Sequence, residues 1–272
     1  MITVSIVTFH TPTKLITQTI TSILKNSIDK LFIVDNSSND SLRIIEKASE
    51  KIRYIHSKNL GYGGGHNIAI RESIMMNAKY HVVINPDIYF DDDVITVLSK
   101  YMDQNSDCGL VMPKVLYPNG ELQYLCKLLP TPLDLFGRRF LPFKNFIKER
   151  NRKYELHFTN YDTIMEVPYL SGCFMFFRNS ILKKVGLFDE QYFMYAEDLD
   201  ICRRINKVAQ TIYYPLVFVH HEYEKGSYKD NKLLKYHVIS VIKYFSKWGW
   251  FFDKERHAVN KRILKELGYK NK

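Results

Sequence analysis

Ile2-Thr3-Val4-Ser5-Ile6-Val7-Thr8-Phe9 is almost continuously apolar or β-branched and reads as a strand buried on both faces. A helical pattern opens at Pro12 and Thr13 and runs to about Lys25. A short strand over 31–34 ends in Asp35-Asn36-Ser37-Ser38-Asn39-Asp40, a cluster that turns the chain and caps a helix over about 41–50. A third strand, 52–55, leads into the glycine-rich stretch Asn59-Leu60-Gly61-Tyr62-Gly63-Gly64-Gly65-His66-Asn67, read as a flexible loop before a helix over about 66–77. A fourth strand, 80–84, ends in Asn85-Pro86-Asp87, and 91–93 start a further helix. Strands alternating with helices predict an α/β fold, Rossmann-like, with a mostly parallel central sheet and helices on both faces. Ligands of open α/β sheets bind along the carboxyl edge of the strands, where Asp35, the glycine loop and Asp87 fall together.

The second half has weaker periodicity. Residues 108–125 look extended and are broken by Pro118-Asn119-Gly120. Residues 126–160 read as a long, partly ordered insertion, punctuated by proline and rich in basic residues and Phe. Residues 163–177 are strand-like, 179–185 a short helix, and 211–219 a last strand ending at His220-His221. From about Lys229 to Phe252 the chain is amphipathic at helical spacing. Leu234, Val238, Val241, Phe245, Trp248 and Phe252 share one face, and Lys232, Lys243, Lys247 and Lys254 lie roughly opposite. Such a C-terminal amphipathic helical tail either faces the core or lies on a membrane surface, where lysine with tryptophan is the expected composition.

The 272 residues carry a formal charge of +10, which favours anionic partners: nucleic acid, acidic phospholipid or phosphorylated substrates. The lysines and arginines are spread over a loop and a tail with no recognition-helix or RNP-like pattern, which argues against nucleic acid. The basic stretch Arg138, Arg139, Lys144, Lys148, Arg150, Arg152, Lys153 is either a solvated loop or a face for lipid phosphate. Four scattered cysteines, Cys108, Cys126, Cys173 and Cys202, form no CxxC pair, which disfavours a zinc site or disulfide framework and fits a reducing cytosol. The N-terminus lacks the basic region of a signal peptide, and no apolar run approaches the roughly 18 residues of a membrane span.

Tyr195-Ala196-Glu197-Asp198-Leu199-Asp200-Ile201-Cys202-Arg203-Arg204 places three carboxylates within four positions at the start of a helical pattern. The helix dipole favours them there, yet their mutual repulsion asks for a partner. Proton abstraction, a metal, a sugar hydroxyl or a plain capped helix all satisfy that demand. The glycine stretch is no dinucleotide fingerprint, because residues 66 and 68 are His and Ile where glycine is required, and no Walker motif occurs. Asp87 at a strand end suits a magnesium or manganese ion shared with a diphosphate. His221 either completes such a site, contacts phosphate, or belongs to a half-buried histidine pair.

Together VSIVTFH, VDNSS, NLGYGGGHN, INPD, GCFMFFR, VGLFDEQYFMYAEDLDICRR and VFVHH resemble glycosyltransferase family 2, of GT-A fold, and within it the bacterial rhamnosyltransferases of O-antigen and capsule assembly. The resemblance covers nearly all of 1–225. It implies a transferase domain over 1–225, with the insertion on the acceptor or membrane side, and a tail over 226–272. It also implies inverting transfer of a sugar from a nucleotide-sugar donor, dTDP-rhamnose favoured, onto a polyprenyl-diphosphate-linked saccharide. A UDP-hexose or UDP-N-acetylhexosamine donor is the alternative. By the family pattern Asp198 is the catalytic base with Glu197 beside it. Thr8, His10, Asp35, Asn36, Asn59, Gly61, Asn67, Asn85 and Asp87 line the donor. Asp87, with His221, would hold Mg2+ or Mn2+. Asn85 stands where many members carry the first aspartate of DxD, which weakens the expected hold on a cation. The implied location is cytoplasmic, peripheral on the inner face of the bacterial plasma membrane.

Overall fold

The computed structural model describes residues 1–91, 93–140, 144–222 and 230–270. Strands β1 (Ile2–Thr8), β2 (Lys30–Asp35), β3 (Ile52–His56) and β4 (Tyr80–Ile84) pair in parallel in the order β3-β2-β1-β4. They are linked by α1 (Thr13–Leu24), a 3-10 helix over Ser41–Ala48, and α2 (Gly61–Met75). β1 lies between β2 and β4 and is covered on both faces, so Val4 and Ile6 on one side and Thr3 and Ser5 on the other are all fully buried.

The two buried hydroxyls need partners, and the sequence supplies histidines. Ser5 Oγ lies 2.7 Å from His66 Nδ1 on α2 and 2.8 Å from His81 Nε2 on β4. His81 Nδ1 is 2.8 Å from Thr3 Oγ1, which donates to Ser73 Oγ at 2.6 Å. Burial holds both imidazoles neutral: His66 titrates well below the ordinary range and His81 is pushed down to about 3.

The chain continues through β5 (Ile88–Tyr89), α3 (Val94–Gln104), β6 (Cys108–Leu116), β7 (Cys126–Lys127), α4 (Pro132–Phe140), α5 (Lys144–Tyr154), β8 (Met165–Glu166) and β9 (Tyr169–Leu170). Then come β10 (Phe174–Arg178), α6 (Asn179–Val185), α7 (Glu197–Ile205), β11 (Gln210–His221), α8 (Asn231–Trp248) and α9 (Lys254–Glu266). β10 runs antiparallel between β4 and β6, and β11 is parallel to β6. The carboxyl ends of β1, β2, β4, β6 and β11 therefore share one edge with the amino end of β10.

Three expectations need correction. The glycine stretch is the first turns of α2, not a loop before it. A Cβ at Gly63, Gly64 or Gly65 would come within 2.9 Å of Phe188, Leu60 or Val7, so these glycines serve close packing rather than mobility. Residues 126–160 contain two helices, α4 and α5. Proline punctuation hid them by interrupting the apolar period. The tail is not one helix: Gly249, with φ +102°, ends α8, and a second helix, α9, follows. Phe252, expected on the apolar face, lies in the connecting turn and is fully exposed. The expected start of the tail at Lys229 and the boundary at 225/226 lie outside the described residues.

Both tail helices pack on the sheet domain. Val241, Tyr244 and Phe245 of α8 form a buried cluster with Leu129, Tyr192, Ala196 and Leu199, and Ile263 of α9 joins the main core.

Candidate active site

At the carboxyl edge, Thr8 and Asp35 are neighbours across β1 and β2. Asp35 is fully buried, and its carboxylate accepts from Tyr54 Oη at 2.6 Å and from the Ser37 N–H at 2.9 Å. The His10 N–H donates to Ser37 Oγ at 2.8 Å. Asn36 donates to the Gly61 carbonyl at 3.2 Å, and Asn59 Oδ1 accepts from the Gly61 N–H at 3.0 Å. Gly61 has φ +75°, and a Cβ there would stand 1.9 Å from the Phe193 carbonyl oxygen, so only glycine fits. Its neighbour's N–H, of Tyr62, donates to that same carbonyl.

This approach brings the start of α2 against the segment that leads into α7. Tyr195 and Ala196, at φ +71° and +65°, are two successive left-handed non-glycine residues immediately before Glu197. Such backbone strain concentrates where a side chain must be aimed. Asp198 Oδ2 accepts from the Gly172 N–H at 2.9 Å and from Tyr169 Oη at 3.3 Å, and Oδ1 accepts from the Leu199 N–H at 2.8 Å. Tyr62 Oη donates to the Gly172 carbonyl. The next residue, Cys173, accepts at its carbonyl from the Asn85 N–H at 2.9 Å, two residues before Asp87. Hydrogen bonds from Asn36 to Gly61, Tyr62 to Gly172, Gly172 to Asp198 and Asn85 to Cys173, with the short chain steps between these residues, thus link 35, 61, 172, 198 and 85.

Burial pushes the Asp198 carboxyl above its ordinary value, with the hydrogen bonds from Gly172, Leu199 and Tyr169 and the charge of Lys127 opposing. Glu197 is pushed well above its ordinary value, first by burial and then by the Asp198 charge. Both carboxyls of the pair are thus raised, Glu197 the more strongly.

Asp87 Oδ1 stands 3.4 Å from His221 Nε2 at the end of β11. The Gln123 amide donates to the His221 carbonyl at 2.9 Å, which turns its Oε1 to His221 Nδ1 at 3.0 Å. Nδ1 therefore donates to Gln123, and Nε2 faces the carboxylate. A carboxylate oxygen and an imidazole nitrogen so placed fit a cation, and Asn85 Oδ1, a buried atom two residues before Asp87, is a further oxygen donor. Among the described residues no group of three or more His, Cys, Asp or Glu side chains forms a metal cluster, so a cation here would share its shell with ligand oxygens.

Five buried side-chain atoms without a hydrogen-bond partner among the described residues belong to this cluster: Thr8 Oγ1, Asn36 Oδ1, Asn85 Oδ1, Asp87 Oδ1 and Glu197 Oε2. Orphaned polar atoms at this density mark a place for a polar ligand. Asn67 differs. Its amide is spent on both backbone groups of Phe188 and on Glu190, so it fixes the 188–190 turn to α2.

The chain matches the family model for glycosyl transferase family 2 over residues 3–186. It belongs to glycosyl transferase family 2. Among relatives of this family 2 glycosyltransferase, rhamnosyltransferase WbbL of Escherichia coli K12 is 24% identical over 229 residues, covering 80% of this chain and 82% of the relative. The low-salt glycan biosynthesis hexosyltransferase Agl10 of Haloferax volcanii is 28% identical over 189 residues, covering 67% and 55%. The N-acetylglucosaminyl-diphospho-decaprenol L-rhamnosyltransferase of Mycobacterium tuberculosis H37Rv is 27% identical over 184 residues, covering 63% and 59%. The chain thus spans little more than half the length of the last two. Staphylococcus aureus TarS 1-349 in complex with UDP superimposes with a TM-score of 0.59 at 15% identity, over 98% of this chain and 70% of that one. The fold is accordingly of GT-A type, as the family 2 motifs implied.

Tyr169, Gly172, Tyr62, Tyr54 and Gln123 were not singled out by motif. Tyr62 and Gly172 lie inside quoted motifs, but Tyr54 reaches the site from β3, Tyr169 from the two-residue strand β9 and Gln123 from the irregular segment before β7.

Proposed function

We propose that this glycosyltransferase moves L-rhamnose from dTDP-rhamnose, with inversion, onto a polyprenyl-diphosphate-linked saccharide of a surface polysaccharide at the cytoplasmic face of the membrane. The rhamnosyltransferase relatives support the donor, and the decaprenol-linked substrate in one relative's name supports the acceptor class. The observation that carries the reading is the set of partnerless buried polar atoms of Thr8, Asn36, Asn85, Asp87 and Glu197, on segments that reach the same sheet edge as the hydrogen-bonded Asp198. The acceptor hydroxyl oxygen attacks the anomeric carbon, the bond from that carbon to the diphosphate breaks, and the hydroxyl proton passes to Asp198. Asp35 and its neighbours hold the base and ribose end of the donor. Asp87 and His221 would hold a divalent cation, whose chemistry is to offset charge on the leaving diphosphate. No described helix is long and apolar enough to cross a membrane, which is compatible with peripheral attachment.

Asp198→Asn should lower kcat by about 10²–10⁴-fold, the usual worth of a general base, with donor affinity near wild type. Turnover close to wild type would reject the role. A donor panel with the purified protein decides the sugar. Exclusive use of a UDP-hexose would replace rhamnose, and the hexosyltransferase relative and the UDP-bound neighbour are the observations behind that second reading.

A further inference from the structure

A cavity of about 810 Å3 opens away from the carboxylate cluster, between α5 and α9. Lys153, Arg256, His257, Lys261, Lys265 and Lys270 line it. Two carboxylates also line it, and both are already engaged. Asp134 accepts from Arg150 Nε at 2.6 Å and from the Thr131 N–H and Oγ1 at 2.7 Å. Asp253 takes a two-pronged bond from Arg203 at 2.7 Å and caps α9 through the Arg256 N–H. Arg256 is itself buried, and its guanidinium donates to the carbonyls of Pro130, Gly249, Trp250 and Phe251. Lys261, Lys265 and Lys270 are exposed, and none is in an ion pair among the described residues. The cavity therefore keeps a positive excess: Asp134 and Asp253 offset Arg150 and Arg256, and the lining lysines remain.

Apart from Thr131 and Asn260, its remaining walls are mostly apolar. Leu128, Leu129, Leu264 and the ring of Tyr269 contribute, with Lys153 Nζ 4.9 Å from that ring's centre. At the lip, Phe251 is 76% exposed and Phe252 after it is fully exposed. Paired phenylalanines bared beside free lysines suit an interface where headgroup meets acyl chain. The cavity also abuts the catalytic half of the molecule. Its wall residues Leu128 and Leu129 follow Lys127, whose charge is felt at Asp198, and its Asp253 is tied to α7 through Arg203.

We infer that this cavity seats the phosphate headgroup of an anionic membrane lipid, with Phe251 and Phe252 entering the acyl region, so that the acceptor side of the enzyme faces the bilayer. This deepens the membrane part of the proposed function and rests on it. The test is sedimentation of the full chain with phosphatidylcholine vesicles, with and without phosphatidylglycerol, at low salt. Wild type should partition only onto the phosphatidylglycerol vesicles. The Lys261→Glu/Lys265→Glu variant should bind them about thirtyfold more weakly or worse, from the usual worth of two basic residues at such a surface. Lys183→Glu/Lys184→Glu, the same charge change on the exposed end of α6, should bind as wild type does. The milder Lys265→Gln/Lys270→Gln variant, expected to lose part of the binding, guards against a folding defect in the first.

Equal losses in the cavity and control variants would overturn the site while leaving membrane attachment standing. Absence of wild-type binding to either vesicle would overturn both. Saturable binding of inorganic pyrophosphate, lost in the cavity variant but without vesicle binding, would assign the cavity to a free phosphate and overturn the lipid. Turnover on a lipid-free acceptor should be unchanged in the cavity variant, which separates this outcome from failure of the transferase reading.

Discussion

Glu197, buried, and Asp198, half-buried, are adjacent acids at one helix start, and they share a titration rather than owning separate ones. Because the folded state raises the Glu197 value, it binds that proton more tightly than the unfolded chain does. Stability contributed by the proton is present below the ordinary carboxyl range and is lost as pH rises toward the raised value. Glu197→Gln removes the titration. Its Tm should exceed wild type at pH 8, and the gap should close as the pH falls below about 4.5, measured by thermal melts at several pH values. The residue scale was the most readable in the sequence. Asp35, Asp87 and Asp198 each stood at a strand or helix end, and the fold brings all three elements to one edge. The partners that tune them, Tyr169 and Gln123, were silent because their contacts are made through the two-residue strand β9 and an irregular segment before β7.

Helix α7 has two faces. Glu197 and Asp198 look toward the donor edge. Asp200, fully buried, accepts from Arg204 Nε, Trp248 Nε1 and Lys247 Nζ, all at 2.8 Å. Arg203, 1% exposed, lies against Trp248 and binds Asp253 and Glu255. The third carboxylate of the motif is thus a structural anchor, which composition alone could not distinguish from a catalytic one. Arg203→Met leaves the buried Asp253 carboxylate only the longer 3.9 Å approach of the Arg256 guanidinium and should cost up to about 3–5 kcal/mol in urea unfolding. A loss under about 1 kcal/mol, the worth of an exposed pair, would show that the anchor is dispensable. Strands β1 and β4 carry a second element-scale signature. With His66 and His81 both held neutral, the unfolded chain takes up more protons below about pH 6.5, so stability should be lost from there down toward about pH 3. His81→Leu should start about 1–3 kcal/mol lower at pH 7, because Thr3 and Ser5 lose a partner, yet decline less steeply in acid. A parallel acid limb in the variant would place the titration elsewhere.

At the scale of the whole molecule, the tail is part of the transferase core rather than an appendage. Ser240 Oγ donates to the Met194 carbonyl at 2.8 Å and Lys243 Nζ to the Gln191 carbonyl at 2.6 Å, so α8 braces the segment that delivers Glu197. A chain ended after residue 222 keeps every proposed donor-side and catalytic residue, but it bares Leu129, Tyr192 and Leu199 and strips Asp200 of Lys247 and Trp248. It should aggregate or melt without cooperativity, as read by calorimetry, and a soluble, cooperative, donor-binding fragment would refute the bracing role. The parallel half of the sheet was legible in the first 90 residues because each strand is a short apolar run bounded by turn residues. The reversed strand β10 and the second tail helix were not, since strand direction depends on distant pairing and the break at Gly249 follows an aromatic cluster that keeps helical spacing. The double duty of α7 also sets a rule for redesign. On the proposed donor assignment, residues 35, 59 and 87 are open to redesign without regard to the last forty positions, whereas a graft of the Glu-Asp motif into another scaffold must carry residues 240–256 with it or arrive without its footing.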